Sequence, residues 1–133
     1  MIDISALRKQ VHDLNKQRAE IIHRVLGTKP YIAAQVYQRY RKCGKANCRC
    51  VNGELHGPYL WIYQKKKNKK TISTTVADGK MAQAMEKAAR YTELLRLRQQ
   101  IRELDQKINE LLNELEMELE QEVDEYVRKK DKA

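Results

Sequence analysis

The chain has 133 residues with no phenylalanine, 41% hydrophobic and 34% charged, and a mean hydropathy of −0.80. Such values suit long exposed helices better than a globule with a deep core. No apolar run approaches the roughly 20 residues of a bilayer span, and the opening MIDISALRKQVHDL lacks the apolar stretch of a secretory signal, so the expected compartment is the cytoplasm, with no membrane contact.

The net charge of +9 is unevenly placed. Three segments are expected: an N-terminal amphipathic helix over 1–28, a basic β-sheet module over 29–77, and a long C-terminal helix over 78–133 whose distal half is acidic. Their net charges are +2, +10 and −3, and the middle segment holds eleven Lys/Arg against Glu54 alone. A block of that sign with almost no acid to neutralise it points to polyanions as partners.

In the first segment Ile4, Leu7, Val11, Leu14, Ile21 and Val25 recur at steps of three and four, broken only where Arg18 takes an apolar place. This is a heptad stripe of about three repeats. GTKP at 27–30 ends it, Gly27 suiting a left-handed terminal residue and Pro30 barring continuation.

The middle segment reads as three antiparallel strands. IAAQVYQRY (32–40) is rich in strand formers, and YLWIYQ (59–64) and TISTTV (71–76) flank KKKNKK as a hairpin turning near Asn68. Alternation places Leu60, Ile62, Ile72 and Val76 on one face and Tyr59, Trp61, Tyr63, Thr71, Ser73 and Thr75 on the other. A sheet this small needs a helix or a metal to hold it.

Between the first two strands RKCGKANCRCVNGELHGPY gathers all three cysteines and a histidine. In a reducing compartment an odd number of clustered cysteines points to metal ligands rather than disulfides. Cys43, Cys48, Cys50 and His56, spaced C-x4-C-x-C-x5-H, supply four ligands for one tetrahedral structural Zn²⁺, leaving no position for a catalytic water. Arg41, Lys42, Lys45 and Arg49 nearby favour thiolates over thiols. Free thiols beside an ordinary loop histidine are the alternative. His12 and His23 fall on the first helix without a partner pattern, and no Gly-rich phosphate loop or catalytic constellation is visible, so no enzyme is expected.

The third segment is expected to be helical from near Asp78 towards 128. Leu94, Leu97, Ile101, Leu104, Ile108, Leu111 and Leu115 hold the same spacing unbroken, then drift through Leu119, Val123 and Tyr126. Buried helix faces and a true coiled coil are equal readings of both stripes. At roughly 1.5 Å per residue the helices would be about 36 and 75 Å long, so an antiparallel pairing would leave the distal stripe bare. A homodimer or a protein partner gripping Ile108, Leu111, Leu115, Leu119 and Val123 is therefore expected. Glu114, Glu116, Glu118, Glu120, Glu122, Asp124 and Glu125 make the same end acidic without an intervening Lys or Arg, either as a solvated surface or as an arm for a basic one.

RYRKCGKANCRC followed by GELHGPY resembles an uncharacterised family of small basic prokaryotic proteins that share R-x-C-G-K-x-x-C-x-C and G-x-x-H-G-P-Y and are often encoded near mobile elements. The resemblance covers residues 39 to about 95, with Ala46 where proline is common, and implies a zinc motif without supplying a mechanism. The hairpin-then-helix order is also similar to the three-stranded DNA-binding domains of integrases and AP2 factors, at the level of pattern alone.

These readings converge on an α+β fold: a three-stranded antiparallel sheet with a CCCH zinc loop, flanked by two long helices in an antiparallel hairpin. The favoured function is non-enzymatic nucleic-acid binding, duplex DNA before RNA, as an accessory or regulatory factor of mobile elements. Its contacts would come from Tyr59, Trp61 and Tyr63, from Lys65, Lys66, Lys67, Lys69 and Lys70 at the hairpin tip, and from Arg39, Arg41, Lys42, Lys45 and Arg49. The alternative readings are a core face for the aromatics and a solubilising turn for the lysines. The alternative function is a coiled-coil adaptor in which zinc only staples the sheet.

Overall fold

The computed structural model describes residues 3–65, 68 and 70–129. Helix α1 spans Ile4–Leu26, strand β1 Gln35–Arg41, strand β2 His56–Lys65, strand β3 Thr71–Thr75 and helix α2 Met81–Leu119, with short 3-10 turns at Arg49–Asn52 and Asp124–Tyr126. The chain divides into a helical unit, Met1–Leu26 with Leu97–Ala133, and a sheet unit, Gly27–Arg96, and α2 runs through both. The division thus falls inside α2. No described helix is long and apolar enough to cross a membrane.

In the helical unit the stripe residues of α1 are the covered ones: Leu7 is 3% exposed and Ile4, Val11, Leu14, Ile21 and Val25 are half-buried. Leu97 and Leu104 answer them from α2, with Ile101, Ile108, Leu111 and Leu115 half-buried between and beyond. Arg18, the break in the pattern, is accommodated by an ion pair to Asp105 at 2.5 Å. Asp3 caps α1, its carboxylate accepting from the Ser5 amide at 2.9 Å. Residue 18 meets 105 and the Pro30 carbonyl meets Arg90, so the two helices run antiparallel.

Two expectations about α2 are corrected. It begins at Met81 rather than near Asp78, because Ala77–Lys80 closes a turn with Gly79 at φ 79°. It ends at Leu119 rather than near 128. Its last turn carries acids and no base, and negative charge at a helix C-terminus opposes the macrodipole while the glutamates repel one another. The segment of α2 in the helical unit therefore matches the 23 residues of α1 in length. Coverage follows: Ile108, Leu111 and Leu115 are half-buried within the chain, and only Leu119 and Val123 of the expected oligomerisation stripe are exposed.

In the sheet unit the strands lie in the order β1-β2-β3, antiparallel throughout. Strand β1 starts at Gln35 rather than Ile32, since the Ile32 amide is taken by the Lys87 carbonyl of α2. Asn68 accepts the Lys70 amide in the β2–β3 turn. The expected face alternation holds: Leu60 is buried, with Val36, Ile62, Ile72 and Val76 half-buried beside it, while Tyr63, Thr71, Ser73 and Thr75 are exposed on the opposite face. Ala34 and Ala88 are both buried, and the Tyr31 and Tyr91 rings stack at 5.5 Å. This core is small, and Cys50 is its only fully buried side chain among the described residues.

Candidate metal centre and basic sheet face

Strand pairing assembles the candidate metal centre. β1 and β2 stay in register to Arg39↔Tyr59, then slip so that Arg41 faces His56, Gly57 and Pro58 of β2 bulging opposite Tyr40 alone. The slip places His56, the first residue of β2, beside the chain leaving β1 towards Cys43. Gly57 permits it: its φ is 139°, and a Cβ there would lie 2.8 Å from the Arg39 carbonyl oxygen and 3.0 Å from the Tyr40 ring. β2 thus starts at His56 rather than at the expected Tyr59, the bulge absorbing Gly57 and Pro58 into an irregular strand start.

The loop between the strands then turns back on itself. Cys48 lies in extended conformation just before the 3-10 turn Arg49–Asn52, and Gly53 ends that turn with φ 105°. The turn is what lets two cysteines separated by one residue converge. Sγ of Cys43 and Cys50 stand 3.5 Å apart, and Cys48 Sγ lies 2.9 Å from His56 Nε2. The Cys43 amide donates to Cys50 Sγ at 3.4 Å, a contact suited to a thiolate. All four ligand atoms lie within 4.8 Å of one another.

The donor set fits a metal ion. Zn–S bonds of about 2.3 Å in a tetrahedron imply ligand–ligand edges of about 3.8 Å, inside the range the four atoms span. The Cys48 thiol is pulled down to about 6 by the Cys50 amide, with His56 and Cys43 adding to the effect. Cys43 is raised: the Lys45 amide lowers it, but desolvation and the neighbouring Cys48 and Cys50 thiols outweigh that contact. A cluster in which one thiolate forms readily while its neighbour resists ionising is relieved by a divalent cation. The four residues lie close enough to hold one.

The exposed face of the sheet is built from the same register. Arg39 lies over the Trp61 ring at 4.7 Å and Arg41 over the Tyr59 ring at 4.9 Å. Trp61 Nε1 donates to Ser73 Oγ at 2.8 Å, which ties the indole to β3. With Thr75 these four side chains surround a notch of about 120 Å³. Tyr63 and Lys65 extend the face exposed to solvent, Lys70 is exposed just before β3, and Lys42, Lys45 and Arg49 are exposed around the cysteine loop. Lys66, Lys67 and Lys69 lie outside the described residues. Sequence reading missed Tyr37, which pairs with Trp61 and is exposed beside it; counting back two residues from Arg39 would have found it.

A family model described as Domain of unknown function (DUF6788) matches residues 4–83, from α1 through the cysteine loop and sheet to the first turn of α2. No curated protein and no solved structure matches the chain.

Proposed function

The chain belongs to the DUF6788 family, and on that premise we propose that it is a zinc-stapled nucleic-acid-binding protein, duplex DNA being its favoured ligand. Cys43, Cys48, Cys50 and His56 would hold Zn²⁺ in a purely structural role, closing the loop onto the sheet; the ion supplies rigidity and no reaction. One observation carries the reading: two guanidinium groups lie on two aromatic rings across a solvent-exposed strand face, within a segment of net charge +10. Arginine in that position offers phosphate or base-edge contacts while its plane is held by the ring. A β-ribbon fits the major groove, and the same aromatics would stack on bases of a single strand.

Fluorescence anisotropy of the zinc-loaded chain on mixed-sequence duplex DNA, single-stranded DNA and RNA tests this. Affinity for the duplex should fall with log salt at a slope near −0.9 per phosphate contact, roughly −5 to −9 in total. Arg39→Ala and Arg41→Ala should each weaken binding while zinc stoichiometry stays at one. Absence of duplex binding at low salt would sink the proposal and leave the adaptor reading, which the exposed Met117, Leu119, Val123 and Tyr126 favour.

A further inference from the structure

Strand β1 is an edge of the sheet, and the ladder's parity tells which of its backbone groups are free. The Val76 amide donates to the Leu60 carbonyl at 2.7 Å, so Leu60 turns its backbone towards β3. In an antiparallel strand the N–H and C=O of one residue point the same way and those of its neighbours the other. Tyr59 and Trp61 therefore bond towards β1, where Arg39 and Tyr37 stand opposite them. By the same alternation Val36 and Gln38 turn their N–H and C=O outward, and neither takes a backbone partner there among the described residues.

Beside this edge lies an open cavity of about 500 Å³. One wall is β1 around Val36, and the other is a single stripe of α2 formed by Met85, Ala88, Ala89 and Leu95. Met85 and Leu95 are about half exposed. A free strand edge facing an apolar helix flank is the setting in which an extended peptide adds a strand: main-chain bonds supply affinity and alternate side chains fill the slot. An uncovered edge is otherwise a liability that proteins protect.

The chain carries a segment with matching chemistry. After α2 stops at Leu119 the following residues form only the 3-10 turn Asp124–Tyr126, with Val123 65% and Tyr126 77% exposed. Extended, this segment would bring Val123 and Val127 to one side, with Glu125 between them, and Glu122 and Asp124 to the other. Glu120, Glu122, Asp124 and Glu125 make no ion pair among the described residues, whereas Arg39 and Arg41 sit further along β1. We infer that residues 121–127 of a second copy add to the β1 edge as a fourth strand, Val123 and Val127 entering the slot and Glu122 and Asp124 lying on the side of Arg39 and Arg41. This association is independent of the nucleic-acid reading.

Sedimentation velocity on the zinc-loaded full chain tests it without nucleic acid. The sedimenting mass should rise above 15.7 kDa with concentration and fall back as salt screens the acids. Three variants should each remain monomeric: a chain ending after Glu120, Ala89→Arg, which fills the slot from an exposed helix position, and Gln38→Pro, which removes one outward N–H and no β1–β2 bond. Mixing the Ala89→Arg chain with the truncated chain should restore association, since one keeps the segment and the other the slot. A full chain monomeric at every concentration would overturn the inference. So would a dimer that survives the truncation, which would assign association to another surface, or a mixture that fails to associate while both variants retain zinc and native circular dichroism.

Discussion

The helical unit and the sheet unit are held by different physics. In the first, burial recurs every three or four residues along both helices, and Leu7, Leu97 and Leu104 are nearly closed to solvent, so stability is spread over many similar contacts. In the second, the buried set is Ala34, Cys50, Leu60 and Ala88, two of them alanines and one a metal-ligand candidate. Little apolar area is removed from water there, and small cores of this kind depend on a staple. A continuous helix joins the units, yet the two should respond to different insults.

For the zinc centre proposed above, the largest expected effect comes from taking the metal away. Apparent binding free energies of structural zinc in small domains are on the order of 10 kcal/mol, more than the buried side chains of the sheet unit can replace. Chelation of the loaded protein, or Cys50→Ser, should therefore abolish the ordered environment of Trp61, read by fluorescence, while most far-UV helical signal persists. Loss of helix and sheet together on chelation would break the comparison and make the chain one cooperative unit.

A reciprocal test is Leu104→Ala. Truncating a buried leucine costs about 2–5 kcal/mol, so the thermal transition followed by helical ellipticity should fall while zinc stoichiometry and affinity stay as they were. Next in size is Gly57→Ala. The added Cβ meets the Arg39 carbonyl at 2.8 Å in a backbone conformation that L side chains rarely adopt, a strain of about 1–3 kcal/mol. That strain is relieved most simply by undoing the bulge, which displaces His56. Competitive zinc titration should show affinity weakened by roughly 10–100-fold, the loss typical when a residue that orients a ligand is changed; an unchanged affinity would dissociate the bulge from the site.

The smallest effect belongs to Arg18. Its pair with Asp105 is partly exposed on both sides, with side chains 36% and 50% accessible, and such pairs contribute about 0–1 kcal/mol. Arg18→Leu restores the apolar stripe and should leave the melting temperature of the helices unchanged or slightly raised. A marked loss would mean that the ion pair sets the register of the two helices.

Sequence alone determined what local periodicity and ligand chemistry dictate. Steps of three and four named the covered residues of both helices, alternation named the two faces of the sheet, and residue type and spacing named Cys43, Cys48, Cys50 and His56. Each of these depends on neighbours a few positions away. Tertiary structure decided what depends on distant partners. Stripe arithmetic could not see α2 end at Leu119, because the stripe carries no record of charge opposing the helix dipole, nor that the first turns of α2 belong to the sheet unit, which leaves the part from Leu97 onward to α1 and so covers Leu111 and Leu115. Nor could spacing explain how Cys48 and Cys50, one residue apart, share a site with His56: the 3-10 turn and the bulge at Arg39–Arg41 bring them together. The placement of Arg39 on Trp61 and Arg41 on Tyr59 likewise follows from cross-strand register, a property of two strands and of neither alone.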